Sequence, residues 1–199
     1  MVILYPFHKN LYVNLTNKCP CACTFCLRQT TNHMGESGSL WLEREPTAEE
    51  VIAEFSKFDM SQCDQLVFCG FGEPIEALPV LLTVAEYVKK TWNLPIRINT
   101  NGLGNLIHGR DITPSFQGLI DTVSISLNTP DAERYLVLTR SKFGIGSFDA
   151  MLTFAKECTK YVPNVVMSTV STTITKEEEA KCQEICDTLG VTYRIRPFE

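Results

Sequence analysis

The chain has 199 residues, of which 44% are hydrophobic and 21% charged, and its formal net charge is −5 at pH 7. These values are typical of a globular protein and predict one domain over residues 1–199. The acidic balance argues against general nucleic-acid binding, and no apolar run approaches the ~20 residues that a membrane-spanning helix needs. The first ten residues lack the positively charged start of a signal peptide, so we expect a cytoplasmic protein that has no membrane partner.

Six predicted strands alternate with helical patterns along the chain. The strands are expected at 11–16, 65–70, 95–101, 122–128, 164–172 and 191–198. The helices are expected at 46–58, 78–92, 131–140, 147–162 and 175–190. Capping-box spacings mark the start of the first helix (Thr47, Glu50) and of the last (Thr175, Glu178). Strands that are separated by helices predict an α/β fold with a parallel sheet and right-handed crossovers.

The predicted strands carry one apolar and one polar face. In the fourth strand Ser124, Ser126 and Asn128 lie opposite Val123 and Ile125. Flat doubly wound sheets are covered on both faces and have continuously apolar strands, whereas one polar face favours a curved sheet with a concave side that is open to a ligand. We therefore expect an incomplete (β/α)6 TIM-like barrel, with its site at the carboxyl ends of the strands.

Four cysteines lie within eight residues, directly after the first predicted strand: Cys19, Cys21, Cys23 and Cys26. Such crowding suits a metal or cluster loop better than a disulfide framework. Cys19, Cys23 and Cys26 have the spacing C-x3-C-x2-C, and Phe25 precedes the last of them. Thiolates bind the irons of iron–sulfur clusters. Three thiolates would leave a fourth iron open to a ligand, although the loop alone also fits a zinc site.

This loop resembles that of the radical S-adenosylmethionine (radical SAM) superfamily. There, three cysteines hold a [4Fe–4S] cluster, and S-adenosylmethionine chelates the remaining iron. Cys19, Cys23 and Cys26 match the family pattern position by position, with Phe25 as its aromatic residue. The pattern leaves the position of Cys21 open, which implies a non-ligand, but the spacing also allows a labile fourth ligand or a different triplet. The implied chemistry is reductive cleavage to a 5′-deoxyadenosyl radical that abstracts hydrogen from a substrate.

Three further segments resemble the cofactor-binding segments of that family. The run GFGEP at 70–74 resembles a GGE segment, the run NTNG at 99–102 resembles a TNG segment, and the fourth strand is one from which the family binds the ribose or carboxylate. By themselves these segments also fit ordinary turns and solvated strand positions. The resemblance implies cofactor contacts from Phe25, Gly70, Gly72, Glu73, Asn99, Asn101, Ser124, Ser126 and Asn128.

Three arginines lie on the polar faces of predicted strands. Arg97 belongs to the third strand, while Arg194 and Arg196 share a face of the last strand, opposite Ile195. Arginine binds carboxylate and phosphate groups bidentately. We expect these side chains to bind an acidic substrate, and pairing with acidic side chains at the surface is the alternative.

Within the superfamily, the short chain and the run NLTNKCPCACTFCLR resemble the small TatD-associated radical SAM proteins. That resemblance implies a TatD-type hydrolase partner and an external electron donor of the flavodoxin or ferredoxin type, but no particular reaction. Alternatives within the superfamily are a 7-carboxy-7-deazaguanine synthase and a glycyl-radical-activating enzyme. Outside it, the alternative is a zinc or redox module without catalysis, against which the lack of a second C-x2-C pair counts.

Overall fold

The structure is a computed structural model that describes residues 1–197. Its strands are β1 (Leu4–Phe7), β2 (Asn10–Val13), β3 (Gln65–Phe68), β4 (Ile96–Thr100), β5 (Thr122–Ser126), β6 (Asn164–Val170) and β7 (Thr192–Arg196). Its helices are α1 (Ala48–Glu54), α2 (Leu78–Trp92), α3 (Gly104–His108), α4 (Ala132–Thr139), α5 (Ser147–Cys158) and α6 (Lys176–Leu189). Within residues 1–197 no helix is both long enough and apolar enough to cross a membrane.

The chain divides into two compact units of α/β architecture. The first contains Met1–Cys19, Cys26–Asn99 and Leu119–Asp121, and the second contains Pro20–Phe25, Thr100–Gly118 and the chain from Thr122 onward. Their strands belong to a mostly parallel seven-stranded sheet in chain order, with β1 and β7 as its end strands. The expectation of one domain over 1–199 stays a prediction.

The first unit contains a strand that the sequence did not predict. β1 pairs antiparallel with β2, with Leu4 opposite Val13, while β2, β3 and β4 are mutually parallel. A tight turn joins β1 to β2, and in it His8 takes the left-handed backbone conformation (φ 53°). The four-residue strand contains Pro6, which is tolerated because β1 is an edge strand. The strand is too short for its periodicity to stand out in the sequence.

The two predicted capping boxes are both present. Thr47 accepts a hydrogen bond from the Glu50 N–H and Glu50 accepts one from the Thr47 N–H, so α1 begins where the spacing predicted. The same reciprocal pair of hydrogen bonds joins Thr175 and Glu178 at the start of α6. These bonds satisfy N–H groups that a helix start leaves without intrahelical partners.

The second unit confirms the predicted polar and apolar faces. Val123 and Ile125 on β5 are fully buried, whereas Ser124 and Ser126 are half-buried. Parallel pairing places Ser126 beside Ser168 on β6, and Ser168 in turn lies beside Arg194 on β7. Because paired residues point to the same side of a sheet, this polar row crosses all three strands, while Val166 and Val170 lie on the same face of β6.

The last strand differs from its prediction on the opposite face. Ile195 was expected on a buried apolar face, but 40% of its surface is exposed. The reason is that β7 is an end strand, so a neighbour covers it on one side only. Of the predicted range 191–198, the strand occupies Thr192–Arg196, and residue 198 lies outside the described residues. The short helix α3 was also not predicted.

Candidate functional site

The cysteine loop is fixed at its middle by the end of α4. The N–H of Ala22 donates to the carbonyl oxygen of Thr139 at 3.0 Å, and the N–H of Thr24 donates to that of Leu138 at 2.9 Å. The last carbonyl groups of an α-helix have no intrahelical donors. The loop backbone therefore caps α4, and α4 in turn positions the residues on either side of Cys23.

The four cysteines of this loop differ in how deeply they are buried. Cys21 is 4% exposed, and its sulfur lies 3.9 Å from Nδ2 of Asn101, whereas Cys19, Cys23 and Cys26 are half-buried. In the described part of the chain no three His, Cys, Asp or Glu side chains are already gathered to hold a metal ion. Each thiolate of a cluster binds a different iron, so the ligands of a cluster need not lie close enough to share one metal ion.

The glycines of the GFGEP run have a packing role within the first unit. A Cβ on Gly70 would lie 2.1 Å from Oδ1 of Asn14, and one on Gly72 would lie 2.2 Å from the carbonyl oxygen of Thr16. Real Cβ atoms do not approach other atoms this closely. Glycine is therefore required where the chain after β3 passes the chain after β2, independently of any ligand.

Glu73 follows these glycines and is 3% exposed. Its Oε1 accepts a hydrogen bond from the N–H of Ile75 at 3.2 Å, and its own N–H donates to the carbonyl oxygen of Lys18 at 2.8 Å. The buried carboxylate thus begins the short 3-10 turn Pro74–Ala77. The second of these bonds ties the GFGEP segment to the residue directly before Cys19.

Asn14 was not predicted and organises the segment after the cysteine loop. Its Nδ2 donates to the carbonyl oxygens of Val2 and Leu40, at 3.1 and 2.8 Å. Its Oδ1 is buried and has no hydrogen-bond partner among the described residues. The one available signal was a polar residue within an otherwise apolar strand pattern.

Thr16 and Asn17 lie between β2 and the cysteine loop, and their side chains also bind the segment that follows the loop. Thr16 donates to Oε1 of Glu45 at 2.6 Å, and Asn17 Nδ2 donates to the carbonyl oxygen of Leu42 at 2.7 Å. The Thr16 hydroxyl is the main cause of the lowered pKa of Glu45, and Lys18 lowers that pKa further. These polar side chains hold the irregular stretch 27–46 against the first strands.

The NTNG run forms a tight turn beside the cysteine loop. Asn101 Oδ1 accepts from the N–H of Leu103 at 2.9 Å, while the same side chain reaches Cys21. Gly102 has φ +78°, and a Cβ there would lie 2.8 Å from the Met151 side chain, so only glycine fits. The run therefore forms an ordinary Asn-Gly turn, and this turn also lies beside the cysteine loop. Asn99 lies in the first unit and is half-buried.

The remaining predicted cofactor contacts lie at the end of β5 and in the loop. Asn128 takes a left-handed conformation (φ 65°), and its N–H donates to the carbonyl oxygen of Ser168 at 3.3 Å. Ser124 and Ser126 lie half-buried on the polar face. Phe25 is 51% exposed. The structure thus brings the serines and Asn128 together.

Of the three arginines, Arg97 lies in the first unit. Its Nη2 donates to the hydroxyl of Tyr12 at 3.3 Å, and its Nε is buried and has no hydrogen-bond partner among the described residues. Burial raises the pKa of Tyr12, and the Arg97 charge opposes that rise. In the second unit Arg194 is exposed and Arg196 half-buried, and they pair with Ser168 and Val170 of β6.

A groove of about 940 Å³ in the first unit has none of the predicted site residues in its wall. Its lining includes Phe55, Met60, Tyr87 and Trp92. Three of these side chains pack on one another as aromatic rings, with centroids 5.4 to 6.3 Å apart. The groove is therefore separate from the candidate site and does not bear on it.

A sequence model of the Radical SAM superfamily matches residues 13–189. The chain belongs to the radical SAM superfamily. It is also 32% identical over 139 residues to the GTP 3′,8-cyclases of two Corynebacterium glutamicum strains, ATCC 13032 and R. That match covers 66% of this chain and 34% of each cyclase, so the chain spans about a third of the length of these relatives.

Solved radical SAM structures share the fold over nearly the whole chain. A radical SAM methyltransferase from Sphaerobacter thermophilus has a TM-score of 0.63 at 15% identity, and covers 98% of this chain and 68% of its own. Streptococcus suis SuiB bound to S-adenosylmethionine has a TM-score of 0.65 at 14% identity, and covers 94% of this chain and 38% of its own. At these identities the likeness establishes the fold, which is the predicted incomplete TIM-like barrel.

Family membership confirms that the protein is an enzyme, and the zinc or redox module is not retained. Radical SAM enzymes use a [4Fe–4S] cluster and S-adenosylmethionine, so the predicted cofactors are confirmed at the level of the family. The TatD-associated subgroup stays a prediction.

Proposed function

We propose that this radical SAM enzyme holds its [4Fe–4S] cluster on Cys19, Cys23 and Cys26. The observation that carries the proposal is the division of the loop thiols: these three match the family pattern and are half-exposed, whereas Cys21 is buried beside Asn101. The donor set fits the group, because thiolates are the ligands of cluster irons. Three ligands leave one iron for S-adenosylmethionine.

When bound, the cluster and S-adenosylmethionine supply reductive cleavage of the sulfonium and hydrogen abstraction from the substrate. The chain's own residues hold and orient these groups and exclude water. Support for a cofactor site comes from the buried carboxylate of Glu73, the turn at Asn101 beside Cys21, and the polar face of β5. The cofactor-binding residues of the proposal are Phe25, Gly70, Gly72, Glu73, Asn99, Asn101, Ser124, Ser126 and Asn128.

We propose an anionic substrate that the arginines bind. Arg97 has a buried Nε that lacks a hydrogen-bond partner among the described residues. Arg194 shares the polar face of Ser126 and Ser168, and Arg196 follows it two residues later on the same strand. The name of the Corynebacterium glutamicum relatives specifies GTP, which is itself an anion. The proposal stops at the anionic class, since the chain spans only a third of those relatives.

The remaining parts of the proposal concern partners and location. An external flavodoxin or ferredoxin supplies the electron, and a TatD-type hydrolase is the predicted functional partner. A cytoplasmic location suits a loop of crowded cysteines that would bind a cluster, because the cytoplasm keeps thiols reduced.

The test is anaerobic reconstitution of wild-type protein and of two matched variants, Cys23→Ser and Cys21→Ser. We expect wild type and Cys21→Ser to bind about four irons per chain. Their reduced EPR signal should change when S-adenosylmethionine is added, and 5′-deoxyadenosine should form. Cys23→Ser should lose the S-adenosylmethionine-dependent signal. Equal loss in both serine variants would refute the ligand assignment, and an EPR signal that ignores S-adenosylmethionine would refute the proposal.

A further inference from the structure

The edge strand β1 carries a buried tyrosine that belongs to none of the predicted motifs. Tyr5 is 3% exposed and lies opposite Tyr12 of β2, and the centres of the two rings are 5.2 Å apart. Its side chain reaches past β2 to the end of β3, where the hydroxyl donates to the carbonyl oxygen of Cys69 at 3.1 Å. Cys69 directly precedes the GFGEP segment at 70–74. Tyr5 therefore contacts the chain at the point where this proposed cofactor-binding segment begins.

This hydrogen bond extends the support of the backbone beyond the last residue of β3. The strand ends at Phe68, and the N–H of Cys69 donates to the carbonyl oxygen of Val13 at 3.0 Å. The Tyr5 hydroxyl binds the carbonyl group of the same residue. Burial raises the pKa of Tyr5, so the hydroxyl stays protonated at neutral pH and remains a donor. Both backbone groups of Cys69 are thus held within the first unit.

The ring of Tyr5 also packs against the GFGEP segment. Phe71 separates the two glycines, which are adjacent in the GGE segment that this run resembles. It is 8% exposed, and it forms one buried cluster with Tyr5 and Leu40. The Trp41 ring lies 5.2 Å from that of Phe71. The hydroxyl of Tyr5 therefore binds the residue before Gly70, while its ring packs with the residue after it.

Tyr5 supports the end of the segment that the cysteine loop does not reach. At the other end, the N–H of Glu73 donates to the carbonyl oxygen of Lys18, directly before Cys19. Glycine has more backbone freedom than any other residue, so a segment with two glycines keeps one conformation best when both of its ends are held. A binding site that is already ordered loses less conformational entropy when its ligand binds.

We propose that Tyr5 is a positioning residue for S-adenosylmethionine, because it holds the GFGEP segment in the conformation that binds this cofactor. The inference rests on the proposed function, since it requires that the segment contacts S-adenosylmethionine. Tyr5 acts through Cys69 and Phe71 and supplies no chemistry of its own. Loss of its hydroxyl should therefore lower the affinity for the cofactor and leave the rate of the reaction unchanged once the cofactor is bound.

The test compares wild type with Tyr5→Phe, which removes the hydroxyl and keeps the ring. The matched control is Tyr87→Phe, because Tyr87 is half-buried in the groove that contains none of the predicted site residues. Hydrogen exchange of the cofactor-free protein is followed by mass spectrometry on peptides that cover 69–75. Equilibrium dialysis of the reconstituted protein measures its dissociation constant for S-adenosylmethionine. Formation of 5′-deoxyadenosine at varied S-adenosylmethionine concentration gives KM and kcat.

In Tyr5→Phe, residues 69–75 should exchange about two- to tenfold faster than in wild type, which is the range expected for the loss of one hydrogen bond. Exchange in β5 and β6 should not change. The dissociation constant and the KM for S-adenosylmethionine should rise by a similar factor, while kcat and the iron content stay at their wild-type values. A purely structural role would instead lower the iron content or kcat and would leave the affinity of the loaded protein unaltered. Tyr87→Phe should behave as wild type in every measurement.

The inference is overturned if Tyr5→Phe binds S-adenosylmethionine as tightly as wild type, even where residues 69–75 exchange faster. Faster exchange throughout the chain would also overturn it, because Tyr5 would then stabilise the whole fold rather than this segment. An equal loss of affinity in Tyr87→Phe would have the same consequence. A wild type that takes up no cluster, or that takes up a cluster and binds no S-adenosylmethionine, overturns the proposed function itself. The two failures are therefore distinguishable.

Discussion

At the scale of single residues, Gly70 and Gly72 show how one motif can satisfy a structural and a functional requirement together. The resemblance to a cofactor-binding segment explained them by close approach of a ligand. The structure shows that a Cβ at either position would collide with Asn14 or with the backbone of Thr16. Packing alone is sufficient to require glycine, so these two residues by themselves are weak indicators of a cofactor.

Gly72→Ala should therefore destabilise the protein even without any cofactor. Its Cβ would meet backbone atoms of Thr16 and Lys18 at 2.2 and 2.6 Å, which cannot move aside as a flexible side chain can. Overpacking of this kind costs about 1–3 kcal/mol. Urea unfolding of the cofactor-free protein measures the loss. Gly146→Ala is the control, because a Cβ there has open space; similar losses in both variants would contradict the packing explanation.

At the scale of elements, helix ends account for much of the local organisation. α1 and α6 begin with capping boxes that were visible in the sequence, since the partners are three residues apart. The end of α4 is different, because its last carbonyl groups are capped by the cysteine loop, more than a hundred residues earlier in the chain. A cap of that kind has no sequence signature, although it positions the residues around Cys23.

The capping box of α1 predicts a pH dependence. The Arg44 guanidinium and the Thr47 N–H lower the pKa of Glu50 to about 2, below its ordinary value of 4.5. A carboxyl group with a lowered pKa stabilises the folded state at every pH above its ordinary pKa. This contribution is lost as the pH falls from about 4.5 towards about 2. Glu50→Gln should thus be less stable than wild type at pH 6, and the difference should shrink as the pH falls and vanish only below about pH 2.

Thermal unfolding across this pH range measures the effect of Glu50. The control is Glu36→Gln, at an exposed position outside the helices. At pH 6 Glu50→Gln should be less stable than this control variant. A difference between wild type and Glu50→Gln that grows towards low pH would show that the sign of the effect is wrong.

At the scale of the whole molecule, the open sheet ends in β7. This exposed edge offers a second explanation for the presence of Arg194 and Arg196 on that strand. Exposed edge strands can pair with other chains, and charged side chains are a common protection against this. Arg194 is exposed on β7 next to Ile195, which exposes 40% of its surface. Edge protection and substrate binding are compatible, because Arg194 shares the polar face with Ser168 while lying on the end strand.

Two neighbouring substitutions separate these roles by their effect on self-association. Arg194→Ile removes a charge from the edge and should increase concentration-dependent association, whereas Ile195→Lys adds a charge and should decrease it. Sedimentation over a tenfold range of protein concentration measures both. If the two variants associate equally, β7 is not an exposed edge in solution, and Arg194 is then explained by substrate binding alone.

The sequence by itself determined the family, the order of six strands and five helices, and the polar face of β5, because these depend on local spacing and on side-chain alternation. Cysteine spacing likewise predicted the cluster loop. Only the tertiary structure decided that Cys21 is buried beside Asn101, that α4 is capped by the loop, and that Ile195 lies on an open edge. Each of these depends on residues far apart in the chain or on which strand ends the sheet, and neither leaves a periodic signal in the sequence.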